Sequence, residues 1–432
     1  MIPALLFTGF LALMLLGVPI GAALGLAGAV AIALANADTQ WFGLLAVPQN
    51  FYAGLGKYPL LAVPMFVLVG SIFDRSGVAL RLVNFAVAIV GRGPGMLPLV
   101  AIAVAMFLGG ISGSGPANAA AVGGVMIAAM SRAGYPAAYS ASVVGAAAAT
   151  DILIPPSVAF IIYSVLVPGA SVPALFAAGM VPGVLAGLAL IVPAVWLARK
   201  HRMGALEASL PRPPFWGSLR DASWGLFAPV LILGGMRAGW FTPTEAAVVA
   251  VFYGLFVGMA VHRTIRLRDL FVILRESGEL SAVILLVVAL AGIFAFSLAT
   301  LGVIDPVADA IVHSGLGEYG VLALLIALMV TVGMFLDGVS IFLIFVPLLW
   351  PIVQHYHWDP VWFGVILTLK VALGQFTPPL AVNLMVSCRI AGVRMESTVR
   401  WIGWMLLAMS LVMVAVIAWP PLALWLPHLL GY

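Results

Sequence analysis

Four short interruptions in otherwise apolar sequence contain the residue types that could bind an ion or a small polar solute. Residues 109–118 and 333–340 combine glycines with serine or aspartate, whereas residues 150–157 and 374–379 each contain two consecutive prolines. A proline removes a backbone donor and clashes with the preceding turn, so a helix must open at such a pair. Carbonyl groups left free at a helix C-terminus suit a cation such as Na⁺, and N–H groups at an N-terminus suit a carboxylate. The four interruptions therefore predict a site for a cation and an anionic solute.

Four ionisable residues lie within apolar segments, where a charge is costly and usually marks function: Asp151, Glu245, Asp337 and Lys370. Glu245 is the exception, because the segment 242–245 (Thr-Pro-Thr-Glu) predicts a capping box at the outer end of a helix. Asp337 is the best single candidate for a cation ligand, since it falls at the centre of one interruption.

Asp151 and Lys370 lie in or just before the two proline interruptions. Neither could remain charged and alone at membrane depth. One hypothesis is that the two side chains form an ion pair or a proton-sensitive switch. The alternative is that Lys370 binds a substrate carboxylate directly.

The composition defines the class of protein that must position these residues. The chain has 432 residues, of which 64% are hydrophobic and 8% charged, and its mean hydropathy is +1.20. A soluble domain carries about a quarter charged residues, so the sequence predicts an all-α polytopic membrane protein. Soluble enzymes, nucleic-acid binders and disulfide scaffolds are excluded, and the single Cys388 allows no internal disulfide.

Apolar runs long enough to cross a bilayer core of about 30 Å predict the membrane segments. The runs are 3–35, 59–74, 98–131, 136–166, 173–198, 222–238, 242–262, 281–298, 321–354, 361–390 and 400–426. Interruption in mid-run predicts re-entrant hairpins at 98–131 and 321–354 and broken helices at 136–166 and 361–390. Residues 78–92 are amphipathic and predict an interfacial helix, while 3–35 suits one tilted helix or two short ones.

Threading these segments alternately through the membrane places the basic residues on one side. All of the 19 Lys and Arg residues fall there except Lys57, Arg237 and Lys370, which lies within a span. The positive-inside rule makes that side cytoplasmic. The side on which the N-terminus lies stays open.

The two halves of the chain resemble each other at an offset of about 223 residues. Gly110 corresponds to Gly333, Ser114 to Asp337, and the Pro155-Pro156 pair to Pro378-Pro379; in the same order, residues 19–23 correspond to 243–247. We therefore predict one repeat at 1–205, a cytoplasmic connector at 206–221 and a second repeat at 222–432. Since the predicted hairpins enter from opposite sides, the repeats are inverted, which is typical of secondary transporters.

Other classes of membrane protein fit less well. The chain has no Gly-x-Ser-x-Gly or His-Glu-x-x-His motif, so a membrane-embedded enzyme is disfavoured. Broken helices joined to hairpins build an occluded site, which disfavours a passive channel, and no soluble nucleotide-binding domain is present for an ATP-driven pump.

At these motifs the sequence resembles the large membrane subunit of tripartite ATP-independent periplasmic (TRAP) transporters. The resemblance covers the whole chain and rests on residues 109–114, 154–157 with 161–163, 241–247, 333–337, and 377–379 with 383–384. It implies Na⁺ symport of an organic acid across the bacterial inner membrane, with no cofactor. It also implies an elevator movement, in which both hairpins and both broken helices form a transport domain and the remaining helices a scaffold. C4-dicarboxylates, sialic acid, sugar acids and 2-oxo acids are typical substrates; the implied partners are a small membrane subunit and a periplasmic solute-binding protein.

The resemblance implies a cation-binding role for residues of the tips and breaks, and we predict that other residues of the same segments bind the substrate. The predicted cation ligands are Ser112, Gly113, Ser114, Gly333, Asp337, Ser340, Gln375 and Thr377. The predicted substrate-binding residues are Asn118, Asp151, Pro155, Pro156, Lys370, Pro378, Pro379 and Asn383.

The sequence departs from the family pattern at a few of these positions. Many members have Asp at the position of Asn118, Gly at that of Asp151 and an uncharged residue at that of Lys370; Gln375 is also unusual. A lysine ammonium could replace one sodium ion, so H⁺ coupling or another coupling scheme is the alternative. The sequence does not indicate which organic acid is carried, the number of sodium ions or the oligomeric state.

Overall fold

The computed structural model describes residues 2–36, 44–90, 93–207, 212–334, 336 and 338–432. Every regular element in these ranges is helical and none is a strand, which confirms the predicted all-α class. Six helices are long and apolar enough to cross a membrane, and eight shorter apolar helices accompany them.

The described residues of the first half of the chain form ten α-helices. They are α1 (Ile2–Leu15), α2 (Ile20–Ala35), α3 (Ala46–Leu55), α4 (Ala62–Arg75), α5 (Val78–Ile89), α6 (Met96–Ser112), α7 (Gly115–Arg132), α8 (Ala137–Ala148), α9 (Val158–Leu166) and α10 (Val172–Lys200). The apolar run 3–35 is thus two helices. They separate where Gly17 has a φ of +83° and Pro19 precedes the first turn of α2, a conformation and a residue type that end helices.

Ten more α-helices form the second half. They are α11 (Phe215–Arg237), α12 (Pro243–Phe256), α13 (Leu267–Thr300), α14 (Ile304–Val312), α15 (Gly317–Gly333), α16 (Gly338–His355), α17 (Pro360–Gly374), α18 (Val382–Ala391), α19 (Val399–Ala418) and α20 (Pro421–Leu430).

Two boundaries differ from those predicted from hydropathy. α13 begins at Leu267 instead of 281, because the Asp269 carboxylate accepts a hydrogen bond from the Arg266 backbone N–H at 2.8 Å and starts the helix in polar sequence. α11 begins at Phe215, inside the predicted connector 206–221. Apolar runs locate the buried part of a helix and not its polar extension.

The capping box predicted at residues 242–245 is confirmed. The Glu245 backbone N–H donates to the Thr242 hydroxyl at 3.3 Å, and the Glu245 carboxylate accepts from the Thr242 N–H at 2.8 Å. Pro243 occupies the first position of α12, so the carboxylate completes a helix start on the surface of the protein.

The two hairpin-like pairs and the two broken helices are all present. α6 ends because Gly113 adopts a left-handed φ of +60°, and α7 starts two residues later. α8 gives way to a 3-10 turn at Ala149–Ile152, followed by extended chain with a cis Pro155-Pro156 bond before α9. α17 and α18 are separated in the same way by a cis Pro378-Pro379 bond. We call residues 109–118, around the α6–α7 turn, tip one, and residues 333–340, around the α15–α16 turn, tip two. The two proline segments are break one (150–157) and break two (374–379).

Helices of one half pack on helices of the other half, and these contacts occur in equivalent pairs. α7 of the first half packs on α18 of the second, and the corresponding α16 packs on α9; likewise α2 packs on α13, and α12 packs on α4. Reciprocal contacts of this kind are expected when two similar units are related by a two-fold axis. These contacts bring each hairpin against the broken helix of the other half.

Candidate functional site

A cavity of about 260 Å³ lies where the two tips meet α4 and α13. Tip one contributes Gly113 and Ser114, tip two contributes Gly338, and break two contributes Gln375. A second cavity of about 100 Å³ adjoins it beneath tip two. The interruptions that lie far apart in the sequence therefore line connected spaces.

Three helices begin at the wall of the larger cavity. The lining includes the first residues of α7, α9 and α16, namely Gly115, Val158 and Gly338. The first turn of a helix has N–H groups without intrahelical partners and carries the positive end of the helix dipole. Three such ends at one cavity create a local environment that favours an anion.

Tip one is wedged between both breaks because its glycines have no side chains. A Cβ on Gly113 would lie 2.8 Å from the Pro156 carbonyl oxygen, and a Cβ on Gly115 would lie 2.6 Å from the Gln375 side-chain oxygen. Distances below about 3 Å between non-bonded heavy atoms are repulsive. Glycine at these positions allows the backbone of tip one to contact break one and break two at once.

Tip two packs in a similar way on α17. A Cβ on Gly374 would lie 2.7 Å from the Gly333 carbonyl oxygen, and a Cβ on Gly338 would lie 2.5 Å from a methyl group of Val371. The Lys370 ammonium lies against Gly333, where a Cβ would meet Nζ. The last residue of α15 is thus enclosed by α17.

The polar side chains of break two bridge the interruption. The Asn383 side-chain amide donates to the Gln375 side-chain oxygen at 3.0 Å, and the Asn383 backbone N–H donates to the Gln375 carbonyl at 3.0 Å. The Thr377 hydroxyl donates to the Leu373 carbonyl at 2.6 Å. The buried Asn383 side-chain oxygen accepts no hydrogen bond from the described residues, so it is an available acceptor beside tip one.

The family profile described as "Tripartite ATP-independent periplasmic transporter, DctM component" matches residues 7–422. The chain belongs to this family. It is therefore a multi-pass protein of the inner membrane and a transport component, not an enzyme, as the sequence predicted.

Relatives of the DctM component match over most of their length. The C4-dicarboxylate TRAP transporter large permease protein DctM of Pseudomonas aeruginosa is 37% identical, and the match covers 94% of each chain. The sialic acid TRAP transporter large permease protein SiaM of Vibrio cholerae is 33% identical, with 98% of each covered. The isethionate TRAP transporter permease protein DctMQ of Oleidesulfovibrio alaskensis is 35% identical, over 90% of this chain and 61% of the relative.

The fold of this DctM component is also similar to that of a solved transporter. The YdaH transporter of Alcanivorax borkumensis, described as having an unusual topology, superposes with a TM-score of 0.58 over 88% of this chain and 90% of the other. The sequence identity is 14%, so this similarity concerns the fold alone.

The residues predicted for cation binding are only partly within the described structure. Gly113, Ser114 and Gln375 line the larger cavity, Gly333 and Gln375 line the smaller one, and Ser340 is buried in the first turn of α16. Asp337 and the side chain of Ser112 lie outside the described residues.

The residues predicted for substrate binding occupy different depths. Asn118 is buried in α7, where its amide donates to the Ala105 carbonyl at 2.8 Å and its side-chain oxygen accepts no bond from the described residues. Asn383 adjoins tip one, whereas the Pro155 and Pro156 carbonyls contact Gly110 and Gly113 of tip one. Pro378 is half-buried and Pro379 is exposed, and neither lines the cavities.

The structure does not bring Asp151 and Lys370 into an ion pair. Both side chains are fully buried, but Asp151 packs against Gly109 of tip one and Lys370 against Gly333 of tip two. Nζ of Lys370 has no hydrogen-bond partner and no carboxylate within 4 Å among the described residues. Each of the two side chains therefore lies against the hairpin of its own half.

Sequence reasoning missed the contribution of α4 to the cavity. Val67, Gly70, Ser71 and Asp74 all line it, and their spacing of three and four residues places them on one helical face. Asp74 ends an apolar run directly before Arg75 and therefore resembles an ordinary loop charge. The periodicity of the small and polar residues was the available signal.

The N-terminal end of α6 forms hydrogen bonds with a buried carboxylate from the segment after α10. The Glu207 carboxylate accepts from the Leu97 backbone N–H at 2.8 Å and from the Tyr135 hydroxyl, which itself accepts from the Gly95 N–H at 2.7 Å. Glu207 lies outside the apolar spans, and burial raises the pKa of its carboxyl above the usual value. This contact fixes the base of the hairpin at the predicted cytoplasmic side.

Proposed function

We propose that this DctM component imports an organic acid, a carboxylate, through the cavity between its two tips. The observation that carries the proposal is the convergence of three helix N-termini, both tips and Gln375 of break two on one space of about 260 Å³. Such a space favours an anion by its backbone dipoles. Broken helices that meet at one site between repeats are the arrangement expected of a secondary transporter.

Cations are the proposed driving ligands at the C-terminal sides of the same tips. α6 ends at Ser112, followed by Gly113 as its C-cap, and α15 ends at Gly333; the last carbonyl groups of each helix have no intrahelical donor. The negative end of the helix dipole favours Na⁺ at these positions. The proposed ligands are the set predicted from the sequence: Ser112, Gly113, Ser114, Gly333, Asp337, Ser340, Gln375 and Thr377.

The substrate class is consistent with the names of the relatives. Those names specify C4-dicarboxylate, sialic acid and isethionate, all of which are organic anions. In this chain the proposed substrate contacts are the backbone groups of tip one and of break one at Pro155 and Pro156. Asn118 and Asn383 would add side-chain acceptors for substrate hydroxyl groups, because the side-chain oxygen of each is buried and accepts no hydrogen bond from the part of the chain that the structure describes.

An elevator movement is the proposed form of alternating access. α6–α9 and α15–α18 would form the transport domain, and the cavity lies at its boundary with α4 and α13 of the scaffold. The reciprocal contacts between the halves support two inverted repeats, at 1–205 and 222–432 with a connector at 206–221. In such a pair the inward-open and outward-open states have nearly equal free energy, because each repeat takes the role of the other.

Two partners complete the proposed system. They are a small membrane subunit that supports the scaffold and a periplasmic solute-binding protein that delivers the substrate. The binding protein would select the substrate, since the walls of the described cavity are mostly apolar and offer few side-chain groups that could recognise one acid.

A differently coupled transporter is the second candidate. It is favoured by the Lys370 ammonium, which lies against the end of α15 with no partner among the described residues. A lysine at a helix C-terminus supplies the charge that a bound cation would otherwise supply. In that case uptake would be driven by fewer sodium ions, or by protons in place of sodium.

Uptake by proteoliposomes tests the proposal. The vesicles contain this chain, its small subunit and a binding protein loaded with a labelled carboxylate, and an inward gradient of Na⁺, K⁺ or H⁺ is imposed. We expect accumulation only with Na⁺. Equal accumulation under a proton gradient alone would contradict Na⁺ coupling, and no accumulation under any gradient would contradict the transport proposal.

A further inference from the structure

The surface between α10 and α19 contains an apolar groove with a volume of about 710 Å³. It extends over residues 185–196 of α10 and 404–415 of α19. At 1.5 Å per residue each stretch is about 16 Å long. That length is about half of a bilayer core of about 30 Å, so the groove spans one leaflet.

One end of this groove has the residue types of a membrane interface. The Trp196 and Trp404 rings contact each other with centroids 5.0 Å apart, and Nζ of Lys200 lies 4.4 Å from the centroid of the Trp196 ring. Tryptophan is enriched where the acyl region meets the headgroups. Arg and Lys residues collect at this end, so it faces the cytoplasmic leaflet by the positive-inside rule.

Three positive charges surround the interfacial end. Arg199 and Lys200 line an adjoining space of about 570 Å³ that shares Val192 and Trp196 with the groove, and Arg400 lies over the neighbouring Trp401 ring. None of the three basic side chains forms an ion pair with a carboxylate of the described residues. The charges are therefore available to an external anion.

We propose that this groove binds one anionic phospholipid of the cytoplasmic leaflet. An acyl chain lies between α10 and α19, and the phosphate group contacts Arg199, Lys200 and Arg400. The groove lies on α10 and α19, which belong to the scaffold in the elevator proposal above, and its existence does not depend on transport or on Na⁺.

A membrane helix of a partner subunit fits the groove less well. A spanning helix needs a surface about 30 Å long, whereas residues 172–183 of α10 are largely buried within this chain. The exposed stripe is confined to the other half of α10, where Leu188, Val192 and Trp196 follow at intervals of four residues. A lipid of one leaflet matches both the length and the charge of this surface.

Lipid retention by the purified full-length chain tests the proposal. The protein is titrated in detergent with phosphatidylglycerol or phosphatidylcholine of identical acyl chains, and bound lipid is counted by native mass spectrometry. We expect one tightly retained phosphatidylglycerol and no equivalent phosphatidylcholine. Glycerol phosphate without acyl chains should not bind, which separates a lipid site from a phosphate site.

Substitutions separate the headgroup contacts from the groove. Arg199→Gln, Lys200→Gln and Arg400→Gln together should weaken phosphatidylglycerol binding about fivefold per residue, or roughly a hundredfold. The matched control, Arg132→Gln with Arg263→Gln and Arg268→Gln, removes three exposed arginines of the same side and should leave binding unchanged. Ala408→Trp fills the groove and should abolish retention without changing the three charges.

Three results would overturn the proposal. They are equal retention of the two lipids, unchanged binding after the triple substitution, and a cross-link from Leu188→Cys to the small membrane subunit in native membranes. If the triple variant is unstable in detergent, the Ala408→Trp variant decides between a lipid in the groove and no site there.

Discussion

Gly113 and Gly333 show at the residue scale how the site is built from backbone. Gly113 has a left-handed φ and lies against the Pro156 carbonyl, and Gly333 lies against the Lys370 ammonium. Any larger residue would separate the tips from the breaks. Substituting one of these glycines by alanine, which adds a single methyl group, therefore tests the geometry of the site.

Gly113→Ala should lower uptake strongly and destabilise the protein by at least about 1–2 kcal/mol. The new Cβ would lie 2.8 Å from the Pro156 oxygen, and the left-handed conformation costs about 1–2 kcal/mol for a non-glycine residue. Uptake and thermal unfolding are measured. Gly124→Ala in the same hairpin is the control, because its Cβ would meet nothing within 4 Å; it should raise stability by about 0.5–1 kcal/mol.

Lys370→Met should raise the unfolding temperature, because it replaces a buried charge that has no partner among the described residues with an apolar side chain of similar volume and so removes a desolvation cost. If Lys370 supplies a positive charge in place of Na⁺, uptake by the variant will depend more steeply on Na⁺ concentration than uptake by the original chain. An unchanged Na⁺ dependence rules out that role. Lys57→Met, on an exposed lysine, is the control and should alter neither measurement.

The sequence predicts the tips and breaks but not all of their partners. Glycine, serine and proline act on their own backbone, so their effect is readable without the fold. Whether Asp151 meets Lys370, and whether Asp74 faces the cavity, depends on how distant helices pack. Those features became visible only in the structure.

At the scale of the elements, three helices are arranged so that their N-termini meet at the cavity. Hydropathy predicted the hairpins and broken helices as units, because their apolar runs are interrupted at the right places. It misplaced the start of α13, where the Asp269 carboxylate caps a first turn that also contains Arg268. It also misplaced the start of α11, which begins at Phe215 without a side-chain cap. The position of a helix end therefore needs capping chemistry as well as hydropathy.

The Glu207 contact at the base of α6 should make stability depend on pH. Because burial raises the pKa of Glu207, the folded state binds its proton more tightly than the unfolded state does. Stability should therefore fall as pH rises from the usual glutamate pKa, about 4.3, through the raised value. Glu207→Gln should flatten this part of the curve, measured by thermal unfolding across pH.

The matched control for that measurement is Glu318→Gln. Glu318 also accepts a side-chain hydrogen bond, from the Trp358 indole at 2.8 Å. The same pH slope in the original chain and in the Glu207→Gln variant would show that Glu207 is not its source.

At the scale of the whole molecule, the cavity lies between helices that the elevator proposal assigns to different moving parts. A cross-link between α4 and α7 should therefore stop uptake. In a Cys388→Ala background, Ser71→Cys and Ala117→Cys place one thiol on α4 and one on α7, both at the wall of the cavity. Joining them with a short bifunctional thiosulfonate should abolish uptake, and a reductant should restore it.

A cross-link within the scaffold is the control for this experiment. Gly54 lies against Ala289, with a Cβ expected 3.4 Å from the Ala289 Cα, so Gly54→Cys with Ala289→Cys should join α3 to α13 without loss of uptake. Continued uptake with α4 joined to α7 would contradict relative movement of the two parts.

The internal repeat was readable from the sequence because both halves keep their glycine and proline positions at one offset. The packing of α18 on α7 and of α9 on α16, each across the two halves, could not be read from the sequence. Similar repeats can pack side by side or interlock without any change in local sequence. Only the contacts of the folded chain distinguish these arrangements.

The packing of α18 against α7 and α8 also has a consequence for biosynthesis. The ribosome makes α7 and α8 long before residues 382–391 emerge. Until then, the faces of α7 and α8 that later contact α18 are exposed to lipid in the inserted first half. A chain truncated before α18 would keep those faces exposed permanently. Membrane proteases that survey unfinished insertion products should therefore distinguish the truncated chain from the complete one.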